Sequence, residues 1–310
     1  MNRVVVIGSS NIDLICRVPH LPAPGETVAG GDLVTVCGGK GANQAVAAAR
    51  SGAEVHLITR VGDDAHGHLM RDTLEREGVT VLPAEPDPVT PTGTALILVD
   101  AQGENTIAVA PGANHQLLPD ALDVYEDVIA SSAVVLCQME VLPKTVAAAL
   151  ALADRHDVFS VLNYAPTAGE PERVIGAGVS LLVVNEVEAG WITGADPSDE
   201  RALSRGVDTL LGNRVRAVAV TLGKRGAILA SGEGRRTIDG FSVNPVDTTG
   251  AGDTFCGALC AQLARGASLP EAVRYGCAAG ALATTALGAQ SAIPGRSQIE
   301  ALLTSHQHAT

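Results

Sequence analysis

The segment Asp247-Thr248-Thr249-Gly250-Ala251-Gly252-Asp253 runs directly into a helix-like stretch ending at Arg265. Two glycines and an alanine leave the first backbone N–H groups of that helix uncovered. A helix start carries unsatisfied donors and partial positive charge, so it suits an anion such as a phosphate. Asp253 is a carboxylate placed among those amides. That placement points to a group that takes a proton while a phosphoryl group is transferred. Taken alone, the same residues also describe a tight turn with Asp in the first helical turn. Asp247, Thr248 and Thr249 add oxygen ligands within a few residues, which favours the chemical reading.

A second Gly-rich segment, Gly38-Gly39-Lys40-Gly41-Ala42-Asn43, opens the first long helix. It does not match Gly-x-x-x-x-Gly-Lys-Ser/Thr, because Gly41 follows Lys40 and the upstream spacing differs. Nor does Val6-Ile7-Gly8-Ser9-Ser10-Asn11 supply the dinucleotide fingerprint Gly-x-Gly-x-x-Gly. Three glycines do let a ligand approach the backbone closely. Asn43 adds an amide able to donate to and accept from a hydroxyl. Asn11 and Asp13 stand two apart after the first strand, so alternation points them the same way. An amide beside a carboxylate suits vicinal sugar hydroxyls, or simply solvates its own turn.

The elements that position these residues follow from the apolar pattern. Strands are expected at Val4–Ile7, Val55–Ile58, Val134–Leu136, Val158–Leu162, Leu181–Val184 and Ala217–Thr221. Helices are expected at Ala42–Ser51, His66–Glu77, Pro143–Arg155, Glu186–Thr193, Asp199–Leu211, Asp253–Arg265 and Leu269–Thr285. Such alternation implies an α/β fold with a mostly parallel central sheet and helices on both faces. Gly52, Gly78 and Gly266 fit helix C-termini. Four short strand-like pieces, Leu14–Val18, Leu33–Cys37, Thr94–Asp100 and Asn105–Ala110, lie outside the alternation. They predict a small β lid built from about residues 12–37 and 94–110 on a single domain spanning 1–310. Its exposed apolar face needs cover, so a homodimer through the lid is expected.

Composition excludes several classes. With 46% hydrophobic and 18% charged residues the chain is not disordered. Aromatics at 2% leave few stacking platforms for single-stranded nucleic acid, and a net charge of −13 repels a phosphate backbone. No secretory signal is visible, since Met1-Asn2-Arg3 leads into a short buried strand. Tyr275 to Gly295 carries no charge, but its Gly, Ala and Thr content reads as a buried helix followed by a loop rather than a membrane span. Cys16, Cys37, Cys137, Cys256, Cys260 and Cys277 form no Cys-x-x-Cys and read as buried thiols in a reducing cytoplasm. His66 with His68, and His306 with His308, are pairs lacking a third ligand. They read as surface histidines, the last pair in a loose tail.

Taken together, Asn11-x-Asp13, Pro24-Gly25-Glu26-Thr27, Gly38-Gly39-Lys40-Gly41-Ala42-Asn43-Gln44-Ala45, Asn185-x-x-Glu188, Thr221-Leu222-Gly223 and Asp247 to Asp253 resemble the ribokinase-type carbohydrate kinase family. The match covers almost the whole chain. The resemblance implies phosphorylation of the 5-hydroxyl of D-ribose by ATP, with Mg²⁺ and a monovalent cation, K⁺. Deoxyribose, a ketohexose or a nucleoside is the alternative substrate, and a non-catalytic sugar-binding regulator the alternative class. It further implies that Asp253 is the base and that Gly250, Ala251 and Gly252 donate N–H groups to the γ-phosphate. Asn11, Asp13, Gly39, Lys40, Asn43 and Glu140 would hold the sugar. Asn185, Thr221, Leu222, Gly223, Gly252 and Cys277 would line the nucleotide, with Glu188 near Mg²⁺. Asp247, Thr249 and the carbonyls of Ala283, Ala286 and Gly288 would hold the monovalent cation, with Ala292 at a further ligand position of the family. The family often has Ser where this chain has Ala292, and a polar residue where it has Cys277. By themselves Glu140 reads as a surface acid beginning a helix, and Asn185 with Glu188 as a helix cap.

Overall fold

Even-numbered Val4 and Val6 enter one apolar cluster, and odd-numbered Val5 and Ile7 enter another. That period of two is the signature of a strand buried on both faces. In a computed structural model, describing residues 2–83, 85–167, 169–212 and 214–307, it recurs across a central sheet. In chain order the strands are β1 (Arg3–Ile7), β2 (Asn11–Arg17), β3 (Leu33–Gly38), β4 (Glu54–Ile58), β5 (Val79–Leu82), β6 (Gly93–Val99) and β7 (Asn105–Ala110). They continue as β8 (Val134–Gln138), β9 (Phe159–Asn163), β10 (Val179–Asn185), β11 (Val215–Thr221), β12 (Gly226–Ser231) and β13 (Gly234–Asp239). The helices are α1 (Lys40–Arg50), α2 (Ala65–Arg76), α3 (Glu126–Ala130), α4 (Pro143–Arg155) and α5 (Pro171–Ile175). After these come α6 (Glu186–Thr193), α7 (Glu200–Leu210), α8 (Ala251–Ala264), α9 (Leu269–Ala283) and α10 (Arg296–Gln307).

Nine strands form the main sheet in the order β13-β12-β11-β10-β9-β8-β1-β4-β5, parallel from β11 to β5. Residues of α1, α2, α8 and α9 pack on one face of it, and residues of α4 and α7 on the other. The chain leaves β1 towards β4 on one side and returns to β8 on the other. A parallel sheet opens a crevice where its order reverses in this way, at the carboxyl ends of the strands. The expected small sheet is present as β3-β2-β6-β7. Leu33, Val34, Leu96, Ile107 and Val109 on it are at least half exposed.

Each strand and helix expected from the sequence is present, with ends shifted by a few residues. Three strands were not expected. β5 has four residues, and β12 and β13 form an antiparallel edge hairpin. The polar run Gly234-Arg235-Arg236-Thr237-Ile238-Asp239 of β13 carries no burial signal. The loose tail is corrected: Arg296 to Gln307 is helical, and the His306 ring lies 4.7 Å from the Phe241 ring. His308 lies outside the described residues. His68 is exposed, but His66 is only half exposed. Four of the six free cysteines are buried, whereas Cys16 and Cys37 in the small sheet are half-buried. No helix among the described residues is long and apolar enough to cross a membrane.

Candidate active site

The site is assembled from residues that follow the carboxyl ends of parallel strands. Ser9 and Asn11 follow β1, Glu140 follows β8, Asn185 ends β10 and Gly223 follows β11. Two helices, α1 and α8, complete it. They cross closely because Gly257 has no side chain: a Cβ there would sit 2.3 Å from the Gln44 carbonyl oxygen and 2.6 Å from the Ala47 Cβ. That approach brings the starts of both helices together.

Asp253 is the third residue of α8, which Gly250 caps in a left-handed conformation with φ 74°. Its carboxylate does not cap the helix. Asn43 Nδ2 donates to Asp253 Oδ2 at 3.0 Å, and Gln44 Nε2 donates to Oδ1 at 2.9 Å. Gln44 is held in turn, accepting from Gln138 Nε2 at 2.7 Å and donating to Asn163 Oδ1 at 3.0 Å. Gln138 and Asn163 are direct cross-strand partners on β8 and β9. All five polar side chains are buried. The Gln138 donor fixes which end of the Gln44 amide faces Asp253, so the carboxylate keeps an acceptor-only role.

At Gly252 a Cβ would meet nothing within 4 Å, so this helix start borders open space. Across it, Gly39 adopts φ 88°, and a Cβ there would lie 2.7 Å from the Asn11 amide nitrogen. This turn lets the Lys40 N–H reach Glu140 Oε2 at 2.9 Å, where Ser9 Oγ also donates at 2.6 Å. Glu140 is therefore tied to the Gly-rich turn rather than acting as a surface acid. Asn11 accepts from Asn114 Nδ2 at 2.7 Å. Asp13, two residues along β2, has its carboxyl pushed up to about 7 by burial, with Glu140 and Asp253 adding to it. The Lys40 ammonium is held above its usual range, chiefly by Asp253, against burial and helped by Glu140 and Glu188. Asn11, Asp13, Lys40, Glu140 and Asp253 thus share one electrostatic centre, with Asn43 bonded to Asp253 itself.

Asn185 and Glu188 form the reciprocal cap read from their spacing, Glu188 N donating to Asn185 Oδ1 and Asn185 N to Glu188 Oε2, each at 2.8 Å. Burial pushes the Glu188 carboxyl up, opposed by the Asn185 N–H and Lys40 and aided by Asp253, so this cap also borders the charged centre. Asn185 pairs in register with Thr221, which leads to Leu222 and Gly223. Cys277 is buried on α9. Asp247 joins two loops: Oδ1 accepts from Thr249 N and Oγ1 at 2.9 and 2.7 Å, and Oδ2 from Gly288 N at 2.9 Å. Burial opposes ionisation of this carboxyl, but those donors hold it below its usual range. Among the described residues no hydrogen bond is donated to the carbonyls of Ala286, Gly288 or Ala292. Ala283 ends α9 beside them.

A family model described as "pfkB family carbohydrate kinase" matches residues 1–296. The chain belongs to that family. Within it, this carbohydrate kinase is 38% identical over 304 residues to the ribokinase of Bacillus subtilis, covering 98% of this chain and all of that one. It is 31% identical over 300 residues to the deoxyribokinase of Salmonella typhi, covering 97% and 98%. The structure of Arabidopsis thaliana ribokinase complexed with ribose and ATP superposes with a TM-score of 0.90 at 29% identity, covering 97% and 98%. The mostly parallel sheet with its small second sheet is thus the fold of this family.

Sequence reasoning placed no role on Gln44, Gln138, Asn163, Asn114 or Ser9, although Gln44 and Ser9 stood within segments it quoted. Gln44→Leu is expected to lower kcat by about tenfold, because Asp253 loses one of its two orienting donors. The variant also strands the Gln138 and Asn163 amides, costing about 1–3 kcal/mol of stability. Steady-state rates and urea unfolding of the same preparation check both effects. An unchanged kcat would remove Gln44 from the positioning of Asp253.

Proposed function

We propose that the protein transfers the γ-phosphoryl group of ATP to the 5-hydroxyl of D-ribose, giving D-ribose 5-phosphate. The observation that carries this reading is the buried Asp253 carboxylate, oriented by Asn43 and Gln44 at a helix start that borders open space. Phosphoryl transfer needs alignment and charge neutralisation more than covalent chemistry. In this reading Asp253 accepts the hydroxyl proton, and the amides of Gly250, Ala251 and Gly252 receive the charge developing on the phosphate. Asn11, Asp13, Gly39, Lys40, Asn43 and Glu140 hold the sugar. Asn185, Thr221, Leu222, Gly223, Gly252 and Cys277 line the nucleotide. The ribokinase relatives support ribose as the sugar. The deoxyribokinase relative supports 2-deoxyribose as the second reading.

The described residues contain no group of three or more His, Cys, Asp or Glu fit to hold a metal. That suits Mg²⁺ carried largely by the phosphates of ATP, with Glu188 nearby, since Mg²⁺ keeps few protein ligands in such sites. Bound there, Mg²⁺ supplies neutralisation of phosphate charge. The unpaired carbonyls around Asp247 suit a monovalent cation held by Asp247, Thr249, Ala283, Ala286, Gly288 and Ala292. A carbonyl serves whatever the side chain, so Ala283, Ala286 and Gly288 fit, whereas Ala292 offers only its carbonyl where the family often has Ser. K⁺ in place of Na⁺ is expected to raise both kcat and the melting temperature; equal values in both salts would leave the cation reading without support. The exposed lid residues support a homodimer through the lid, which sedimentation would reveal as a single species of twice the chain mass. The free thiols support a reducing cytoplasm as its location.

A panel of D-ribose, 2-deoxy-D-ribose, D-fructose and nucleosides, read by ADP release and by ³¹P NMR of the product, tests the function. The highest kcat/KM should fall on D-ribose, with phosphate on O5. Binding of sugars without turnover would point instead to a regulator.

A further inference from the structure

A groove of about 660 Å³ lies away from the catalytic centre, between α7 and the β11-β12-β13 end of the sheet. Its place follows from the strand register. Val220, Ile228 and Thr237 are consecutive cross-strand partners and all line the groove. Thr221, Ala227 and Ile238 form the next row and therefore point to the opposite face, the one bearing the proposed nucleotide residue Thr221. Leu203, Val207, Val220 and Ile228 give the groove an aliphatic floor, and the Leu222 side chain joins them on this face, so only the Leu222 backbone is left to line the proposed nucleotide position.

Four guanidiniums edge it: Arg201 and Arg205 from α7, Arg225 from the turn after β11, and Arg235 from the edge strand. Arg225 pairs with Glu186 and Arg235 with Asp208. Arg201 and Arg205 are exposed and form no ion pair among the described residues. Their placement works against the helix in two ways. They stand four apart, so like charges adjoin on one helix face. Arg201 also sits in the first helical turn, where positive charge opposes the helix dipole. Two of the four guanidiniums have carboxylate partners, which leaves the charge of Arg201 and Arg205 uncompensated among the described residues at the edge of the groove, where it attracts an anion.

We propose that this groove is a second ligand site, binding an organic phosphate with its phosphate on Arg201 and Arg205 and its carbon body on the aliphatic floor. Guanidiniums match phosphate geometry through paired N–H donors. An occupant that also engages Arg225 acts two residues from Gly223, and it competes with Glu186, the first residue of α6 after Asn185. The site thereby touches two of the segments that line the proposed nucleotide position, from the other face of the sheet.

Phenyl phosphate, titrated calorimetrically into the full chain with and without saturating ADP, tests this. Binding should persist in ADP and weaken by roughly tenfold for each guanidinium lost in Arg201→Ala/Arg205→Ala. That double variant should keep its kcat for the sugar, since neither residue belongs to the catalytic machinery. Should it fail to fold, the single variant Arg205→Gln carries the same expectation for one guanidinium. Absence of binding at millimolar phenyl phosphate would overturn the proposal. So would displacement by ADP, which places the probe in the catalytic site, or equal affinity in the variants.

Discussion

Asp253→Asn is expected to lower kcat by roughly 10²–10⁴ while the affinity for the sugar stays within a few-fold. The size follows from the loss of a positioned base, and the selectivity from where Asp253 sits. It lies on α8, whereas the proposed sugar groups lie on β2, on the Gly-rich turn and α1 and after β8, and Asn43, which bonds Asp253 directly, can keep that bond to an asparagine oxygen. An asparagine amide would also face a donor on one side, because Asn43 and Gln44 each donate to one carboxylate oxygen. A modest loss of stability should therefore accompany the loss of rate, by about 1–3 kcal/mol. Steady-state kinetics, calorimetric sugar binding and thermal unfolding of one preparation separate the three effects. A purified variant turning over at near the parent rate would remove Asp253 from the chemistry.

Asp13→Asn should act on binding instead. A hydrogen bond to a charged group is worth about 1.5–3 kcal/mol, so the sugar KM should rise roughly 10- to 100-fold. pH adds a sharper test. The Asp13 carboxyl is pushed up to about 7, first by burial and then by Glu140 and Asp253. If its ionised form accepts from the sugar hydroxyls, kcat/KM should rise with pH through about 7 and should lose that step in the variant. Stability must move the other way. The folded protein holds this proton more tightly than the unfolded chain, whose Asp titrates near 3.8. The stabilisation is complete below that value and is lost as pH rises through about 7. Melting temperatures of the ligand-free protein and its Asp13→Asn variant across this window check the sign.

The two Gly-rich segments were legible as candidate ligand-binding turns because their chemistry is local. Gly38 to Asn43 and Asp247 to Asp253 each carry their glycines, amides and acids within a few residues. The Gln44 network was not legible, because it exists only once Gly257 lets α8 settle on α1. Asn114 likewise reaches Asn11 from a distance of 103 residues along the chain. The parallel strands were legible from their apolar runs, while β13 was hidden by its arginines. α10 was missed because Ile299 is its only fully buried apolar residue among those described.

Strand β2 begins at Asn11 and runs into the small sheet, so two of the groups proposed to grip the sugar, Asn11 and Asp13, belong to that sheet. The proposed proton acceptor, Asp253, belongs to the scaffold beneath, as do Lys40, Asn43 and Glu140. Any outward swing of that sheet would part the two sets, leaving the proposed base with an incomplete grip on a substrate. Waste of nucleotide on water would then be governed by how often the flap shuts with nothing inside, a frequency legible in the rate of ATP loss without sugar.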